Sequence, residues 1–423
     1  MLLQDRLESL GRHRRAQPRR HPVDLAGLAA GLGGRLGTNL AGEFVVIEEL
    51  LPLPPRAAWS GTPEWLFRDS ARLRDGALLG DGSTPPEPGL CFFDTETTGI
   101  TGGVGNQVFL MALAWRVGDG LLMRQYVLPD PALEQPFLEA ISLDLGRSAA
   151  VVSYNGRSFD TPVLTGRLLM ARRSPGCLLK PHLDLLHPVR RIFKARLGSC
   201  TLQNVEARVL GRDRGDDIPG YLIPEIYFAY LRSRDPELLR SVVAHNRQDV
   251  VSLSLLLDHL LGLPDSGTAA HPLDRFGLAR VLETGGQVEE AIAIYEQLWD
   301  EADCAWDGEV WPGAWSPVEL AYVLGLRLAL ALRRHGHLDR AEAVVEATWR
   351  RYPRPWEAGI MLAKILEHRR KDRSAAIEVV SAALDALEQS RPHTPGEERW
   401  LVDLRRRLAR LEGKRGAAAA DAA

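Results

Sequence analysis

The chain is poor in cysteine. Four residues in 423, Cys91, Cys177, Cys200 and Cys304, stand at spacings that form neither a zinc signature nor a disulfide framework. No run of about 18 apolar residues occurs, which excludes a helical membrane span. Excess positive charge is also missing. A formal net charge of −3 does not suit a protein that coats nucleic acid through bulk charge, so any such contact must be local. With no secretory signal either, a reducing cytoplasm is the expected home. The N-terminus carries five arginines between Glu8 and Asp24, and reads as a flexible basic arm rather than a transit peptide because Asp5 and Glu8 interrupt it.

What is present is an ordinary globular composition, 45% hydrophobic and 25% charged, in a chain long enough for two or three domains. "EFVVIEELLPLP" (43–54) is strand-like, "GSTPPEPG" (82–89) is a loop, and "CFFDTETTG" (91–99) is a buried strand ending on two acids. Residues 107–129 read as two strands around Gly118-Asp119-Gly120. A helix, the strand "AAVVSYNG", a second helix, a short strand at "HLDLLHP" and a long amphipathic helix over 236–262 follow. This order predicts a mixed α/β sheet. Beyond residue 272 the pattern is nearly all helical, with related stretches starting at Gly286, Gly336 and Lys371. The last two starts are 35 residues apart, near the roughly 34-residue period of tetratricopeptide-type helical pairs. A Trp-rich insert (306–315) separates the first two.

The acids carry the chemistry. Asp94 and Glu96 lie two apart on a strand, hence on one face. Asp160 follows the Asn155-Gly156 turn at a helix start, and His245 and Asp249 lie four apart on a helix whose buried stripe is Leu239, Val243, Val250, Leu253 and Leu257. Each element alone is commonplace: a solvated turn, a cap, a surface pair. Together they offer hard oxygen donors suited to two Mg²⁺ or Mn²⁺ ions, with a histidine to take a proton from water.

"DTETTG", "YNGRSFD" and "HNRQDV" resemble the three motifs of the DEDD exonucleases. Residues 43–262, through "FFDTETTGITGGVGNQVFLMALAW", "HLDLLHPVRRIF", "LGSCTLQNVE" and "DDIPGYLIPEIYFAYLR", resemble the YprB-like group of ribonuclease H-like exonucleases. The resemblance implies a five-stranded ribonuclease H-like sheet flanked by helices, its first three strands antiparallel and its last two parallel to the first. It also implies that Asp94, Glu96, Asp160 and Asp249 hold the metals, with Asp94 shared, and that His245 is the general base. In the better-studied DEDD subgroups that base is a Tyr four residues, or a His five residues, before the last Asp; here a His stands at four.

Other features are weaker. The glycine-rich 99–107 stretch lacks the Lys and Ser/Thr of a phosphate loop. Thr95 and Asn155 are expected to touch substrate, Asn155 alternatively to orient Asp160 or simply to turn the chain. Arg190 and Arg191, with Lys194 and Arg196 around Phe193, read either as a single-strand contact or as a solvated helix face. Asp184 is expected in a structural hydrogen bond, and Asp216 and Asp217 in a turn. The expected organisation is a basic flexible segment (1–42), a ribonuclease H-like exonuclease domain (43–265), tetratricopeptide-like repeats (266–410) and a disordered tail (411–423). The expected activity is metal-dependent hydrolysis of single-stranded DNA or RNA, as a 3′→5′ exonuclease. The alternative is a scaffold that binds nucleic acid, or a protein partner through its repeats.

Overall fold

The computed structural model describes residues 23–53, 89–99, 105–264, 271–304, 316–352, 356–389 and 395–420. The arginine-rich arm, residues 82–88 of the loop, residues 100–104 and the Trp-rich insert lie outside them. The chain divides into two compact units, residues 1–269 and 270–423.

The first unit opens with a helix, α1 (Leu25–Gly31), capped by the Asp24 side chain, then strands β1 (Arg35–Asn39) and β2 (Gly42–Pro52). Three strands follow: β3 (Leu90–Thr97), β4 (Val108–Val117) and β5 (Gly120–Val127). Helix α2 (Glu134–Arg147), β6 (Ala150–Ser153), α3 (Asp160–Met170), β7 (His182–Asp184), α4 (Leu186–Leu197), α5 (Ile223–Ser233) and α6 (Arg240–Gly262) complete it. The seven strands run in the order β1-β2-β5-β4-β3-β6-β7. Neighbours from β1 through β3 are antiparallel, and β6 and β7 are parallel to β3. The fold is ribonuclease H-like, with the expected antiparallel and parallel halves.

Two strands extend the expected five: β2, which is the strand-like stretch read at 43–54, and β1, which was not foreseen. Residues 25–39, expected to be flexible, form α1 and β1, and β1 pairs residue for residue along β2 from Arg35↔Val46 to Asn39↔Gly42. The physical reason is burial. Leu28 and Ala29 are 2–3% exposed in the core, which a sparse run of Leu and Gly did not announce.

Neighbouring residues on β5 fix the layers. Gln125 reaches the Val243 carbonyl and the Asn246 side chain on α6, while Tyr126 donates to Asp144 on α2. Successive strand residues face opposite sides, so α6 and α2 cover opposite faces. The core between them holds Phe93, Phe109, Phe137, Tyr227 and Tyr230, with Tyr227 stacked on Phe109 at 4.0 Å. Fully burying such a side chain is worth roughly 1.5–3 kcal/mol.

The second unit is all helix: α7 (Pro272–Gly285), α8 (Val288–Cys304), α9 (Pro317–Arg334), α10 (Leu338–Arg351), α11 (Trp356–Ile365), α12 (Arg373–Gln389) and α13 (Pro395–Ala420). Each packs on its neighbours in sequence. All three repeat starts have positive φ, Gly286 at 95°, Gly336 at 85° and Lys371 at 58°. Each is the left-handed turn that ends one helix and releases the chain into the next. The expected disordered tail is helical as far as Ala420, because Leu404 and Leu411 continue the buried stripe of α13 and are 0% exposed.

Candidate metal and nuclease site

β3 sets the site's base. Cys91, Phe92 and Phe93 are buried, and β6 pairs with β3 only from Leu90 to Phe92. Beyond that point one side of β3 is open. Asp94, Thr95 and Glu96 lie in that stretch, so groups from both faces of the sheet meet around its end.

Asp160 arrives from the face that holds α3. Asn155 takes a left-handed turn at φ 64°, and its carbonyl accepts from Ser158 and Phe159. Gly156 is required next: a Cβ there would stand 2.4 Å from Ser153 Oγ and 3.2 Å from Asp160 Oδ2. Asp184 clamps this turn from below, accepting from the backbone N–H of Asn155 (2.7 Å), Arg157 (3.2 Å) and Leu186 (3.1 Å). It is the structural hydrogen-bonding residue the sequence suggests. Asp160 then opens α3 and accepts from the Thr95 hydroxyl.

α6 brings the rest. Asn246, 0% exposed, donates to Asp94 Oδ2 at 2.9 Å and to the Asp94 carbonyl at 3.3 Å, and accepts from Gln125. His245 immediately precedes it, and Asp249 follows nearly one turn later. His245 Nε2 lies 3.7 Å from Asp249 Oδ2 and 4.0 Å from Glu96 Oε1. The Glu96, His245 and Asp249 side chains keep only 12–15% exposure.

Arg214 and Asp217 complete the group. Arg214 pairs with both oxygens of buried Glu206, with Asp217 and with Asp249, though no hydrogen bond is aligned on Asp249 Oδ1. Asp217 in turn meets His245 Nδ1 at 2.8 and 2.9 Å. Asp217 is therefore more than a turn residue.

The electrostatics follow from this crowding. Burial, then the charges of Asp249, Asp160 and Glu96, push the Asp94 carboxyl well above the usual range. Glu96 is raised by burial, Asp249 and Asp160. Burial lifts Asp160 to about 6 against the Thr95 hydrogen bond, and burial raises Asp249 against His245 and Arg214. Asp217 goes the other way: its burial is outweighed by hydrogen bonds from His245 and Arg214. Among the described residues of this patch, six acids face one guanidinium and one imidazole.

That surplus, made of hard carboxylate oxygens, fits a divalent cation. The carboxylates are gathered rather than closed. Among the described residues no three His, Cys, Asp or Glu side chains already stand at ligand spacing around one centre. Asp94, Asp160 and Asp249 are instead engaged by Asn246, Thr95 and Arg214.

A cleft of about 210 Å³ lies alongside, lined by Thr95, Glu96, Asp160 and the apolar Phe159, Val163, Ile223 and Pro224. The structure brings together Asp94, Thr95, Glu96, Asp160, His245 and Asp249. Asn155 acts through its backbone as a turn. Of the two readings of this stretch, the structure shows the exposed helix face: Arg190 and Arg191 are exposed on α4, while Phe193 is 1% exposed and offers no face to a base. Four partners escaped the sequence reading. Asn246 had a signal, being a polar residue on the stripe 239, 243, 246, 250, 253. Glu206, Arg214 and Asp217 had none, since they lie in or beside an irregular stretch and their links to His245 and Asp249 cross to a distant helix.

Residues 91–261 match the RNase_H superfamily. The chain is 32% identical over 335 residues to YprB of Bacillus subtilis (strain 168), across 77% of this chain and 75% of that one. A family B DNA polymerase from the archaeon Pyrobaculum calidifontis aligns with 50% of this chain at 19% identity and a TM-score of 0.36, and the chain spans 29% of its length. A ribonuclease H-like sheet, the acids gathered at its open strand end and this extent of identity lead to one conclusion: the chain belongs to the YprB family and carries a ribonuclease H superfamily domain over residues 91–261.

Proposed function

We propose that the protein is a divalent-metal-dependent nuclease that hydrolyses phosphodiester bonds of single-stranded DNA or RNA, removing nucleotides in the 3′→5′ direction. The observation that carries this reading is the convergence of Asp94, Glu96, Asp160 and Asp249, from a strand and two helices, into one buried patch with too little positive charge to balance them.

These four carboxylates would hold two Mg²⁺ or Mn²⁺ ions. When bound, such ions act as Lewis acids and make coordinated water a nucleophile near neutral pH. His245 Nε2 takes a proton from the attacking water, whose oxygen forms the new bond to phosphorus. The phosphorus–oxygen bond to the leaving nucleotide breaks, and that oxygen departs with the electron pair and is protonated by solvent. His245 then returns its proton to bulk water. Thr95 holds Asp160 in place, and the apolar walls of the cleft suit a terminal base. Arg190 and Arg191 contribute phosphate contacts by charge. This reading carries the expected cytoplasmic setting, in which Cys91, Cys177 and Cys200 stay reduced, and it leaves the helical pairs to bind a protein partner.

The test is an end-labelled oligonucleotide with Mn²⁺. Wild-type protein should shorten it from the 3′ end, and Asp94→Asn or Asp249→Asn should lose at least ~1000-fold in rate. Mn²⁺ should also raise the melting temperature of wild type and leave that of Asp94→Asn unmoved. A wild type inert on DNA and RNA with Mg²⁺ and Mn²⁺ rejects the reading.

A further inference from the structure

We infer that Asp217 is a positioning residue for His245: it accepts the Nδ1 proton of the imidazole and thereby leaves Nε2 bare and turned toward the acid cluster. The consequence for catalysis rests on the nuclease reading above; the geometry does not.

Both Asp217 oxygens lie within 2.9 Å of His245 Nδ1. An ionised carboxylate only accepts, so this nitrogen must carry a hydrogen. The neutral ring then has its lone pair on Nε2. Nε2 stands 3.7 Å from Asp249 Oδ2 and 4.0 Å from Glu96 Oε1, beyond hydrogen-bond reach of either. It points into the gap between two of the proposed metal-holding carboxylates, where an attacking water would sit.

Asp217 is itself immobilised. Arg214 donates to its Oδ2 at 3.0 Å, and the Ile218 amide to its Oδ1 at 2.9 Å. Arg214 is gripped through two nitrogens by Glu206, which is 0% exposed. Planar two-point pairing of this kind fixes orientation as well as charge. The result is a buried train, Glu206–Arg214–Asp217–His245, with side chains of Arg214 and Asp217 only 5% and 10% exposed. A surface ion pair would not be built this way.

The experiment uses the full chain labelled with ¹⁵N-histidine, the His245 signals being assigned by their loss in His245→Gln. At pH 8 the wild-type spectrum should place the proton on Nδ1 and leave Nε2 bare. Asp217→Asn, whose amide also donates, should mix the tautomers. It should lower kcat on an end-labelled oligonucleotide with Mn²⁺ by about 100-fold, with KM within twofold. Asp217→Glu should recover a tenth or more of the wild-type kcat. A bare Nδ1, protons on both nitrogens, or a folded Asp217→Asn with wild-type kcat overturns the inference. Should Asp217→Asn fail to fold, the wild-type spectrum and Asp217→Glu still decide. If wild type cleaves nothing, the nuclease reading fails by itself, and the spectrum alone decides the role of Asp217.

Discussion

At the scale of single residues, the unit keeps an imidazole buried without charge outside the acid cluster. His182 is 8% exposed, with Nε2 at 2.7 Å from Ser153 Oγ, and burial lowers its pKa to about 4 despite the nearby charge of Asp184. The unfolded chain binds its proton near pH 6.5 and the folded chain only near 4. Between those values the unfolded state holds more protons, so this group's contribution is present above pH 6.5 and is lost as pH falls through 4, by roughly 3 kcal/mol in all. In urea unfolding of metal-free protein, wild type should lose about 2 kcal/mol more than His182→Gln between pH 7 and pH 5, the raised acids of the site contributing alike to both. Equal pH sensitivity of the two proteins would refute the assignment. Sequence reading found the four acids and His245 because each stands in a short motif on a recognisable element. It missed Asp217 because a loop residue 28 positions from its partner leaves no periodic trace.

At the scale of elements, the two halves of the chain use glycine differently. In the first unit Gly156 makes room for Asp160. In the second, glycines make room for tryptophan. A Cβ on Gly325 would stand 2.2 Å from Thr348 Oγ1 and 2.5 Å from the Trp299 ring, and one on Gly359 would stand 2.6 Å from the Trp349 ring. Trp299 and Trp349 end the matching stretches that begin at Gly286 and Gly336, so one contact recurs between successive helical pairs. Gly325→Ala should therefore destabilise the helical unit by about 1–2 kcal/mol, because overpacking outweighs the ~1 kcal/mol gained in helix propensity. Thermal melting followed by circular dichroism checks the sign; a raised midpoint would show that the indole moves aside freely. The repeat was legible as a spacing of similar stretches. Its left-handed joints were legible only at the two glycines, since Lys371 adopts the same turn without the residue that usually signals it. The N-terminal α1 and β1 were illegible because short, glycine-rich elements owe their form to the sheet they join.

At the scale of the whole molecule, a net charge of −3 bounds the salt dependence that the proposed nuclease would show. With few phosphates neutralised, about three by Arg190, Arg191 and Lys194, affinity for a single strand should fall only about ten- to twentyfold between 50 and 200 mM salt. Fluorescence anisotropy with a labelled oligonucleotide and Ca²⁺ in place of a catalytic ion measures this slope. A loss of 1000-fold would mean a basic surface far larger than α4. The mixed α/β sheet was legible from the pattern of buried strands and helices, whereas its antiparallel and parallel halves came from the family resemblance, and the added edge from neither. One contact governs how the whole chain tolerates change. Asn246 grips both the side chain and the backbone of Asp94, which fixes the rotational phase of α6 at that point. One residue gained or lost between 245 and 249 would swing Asp249 about 100° around the helix axis and dissolve the quartet.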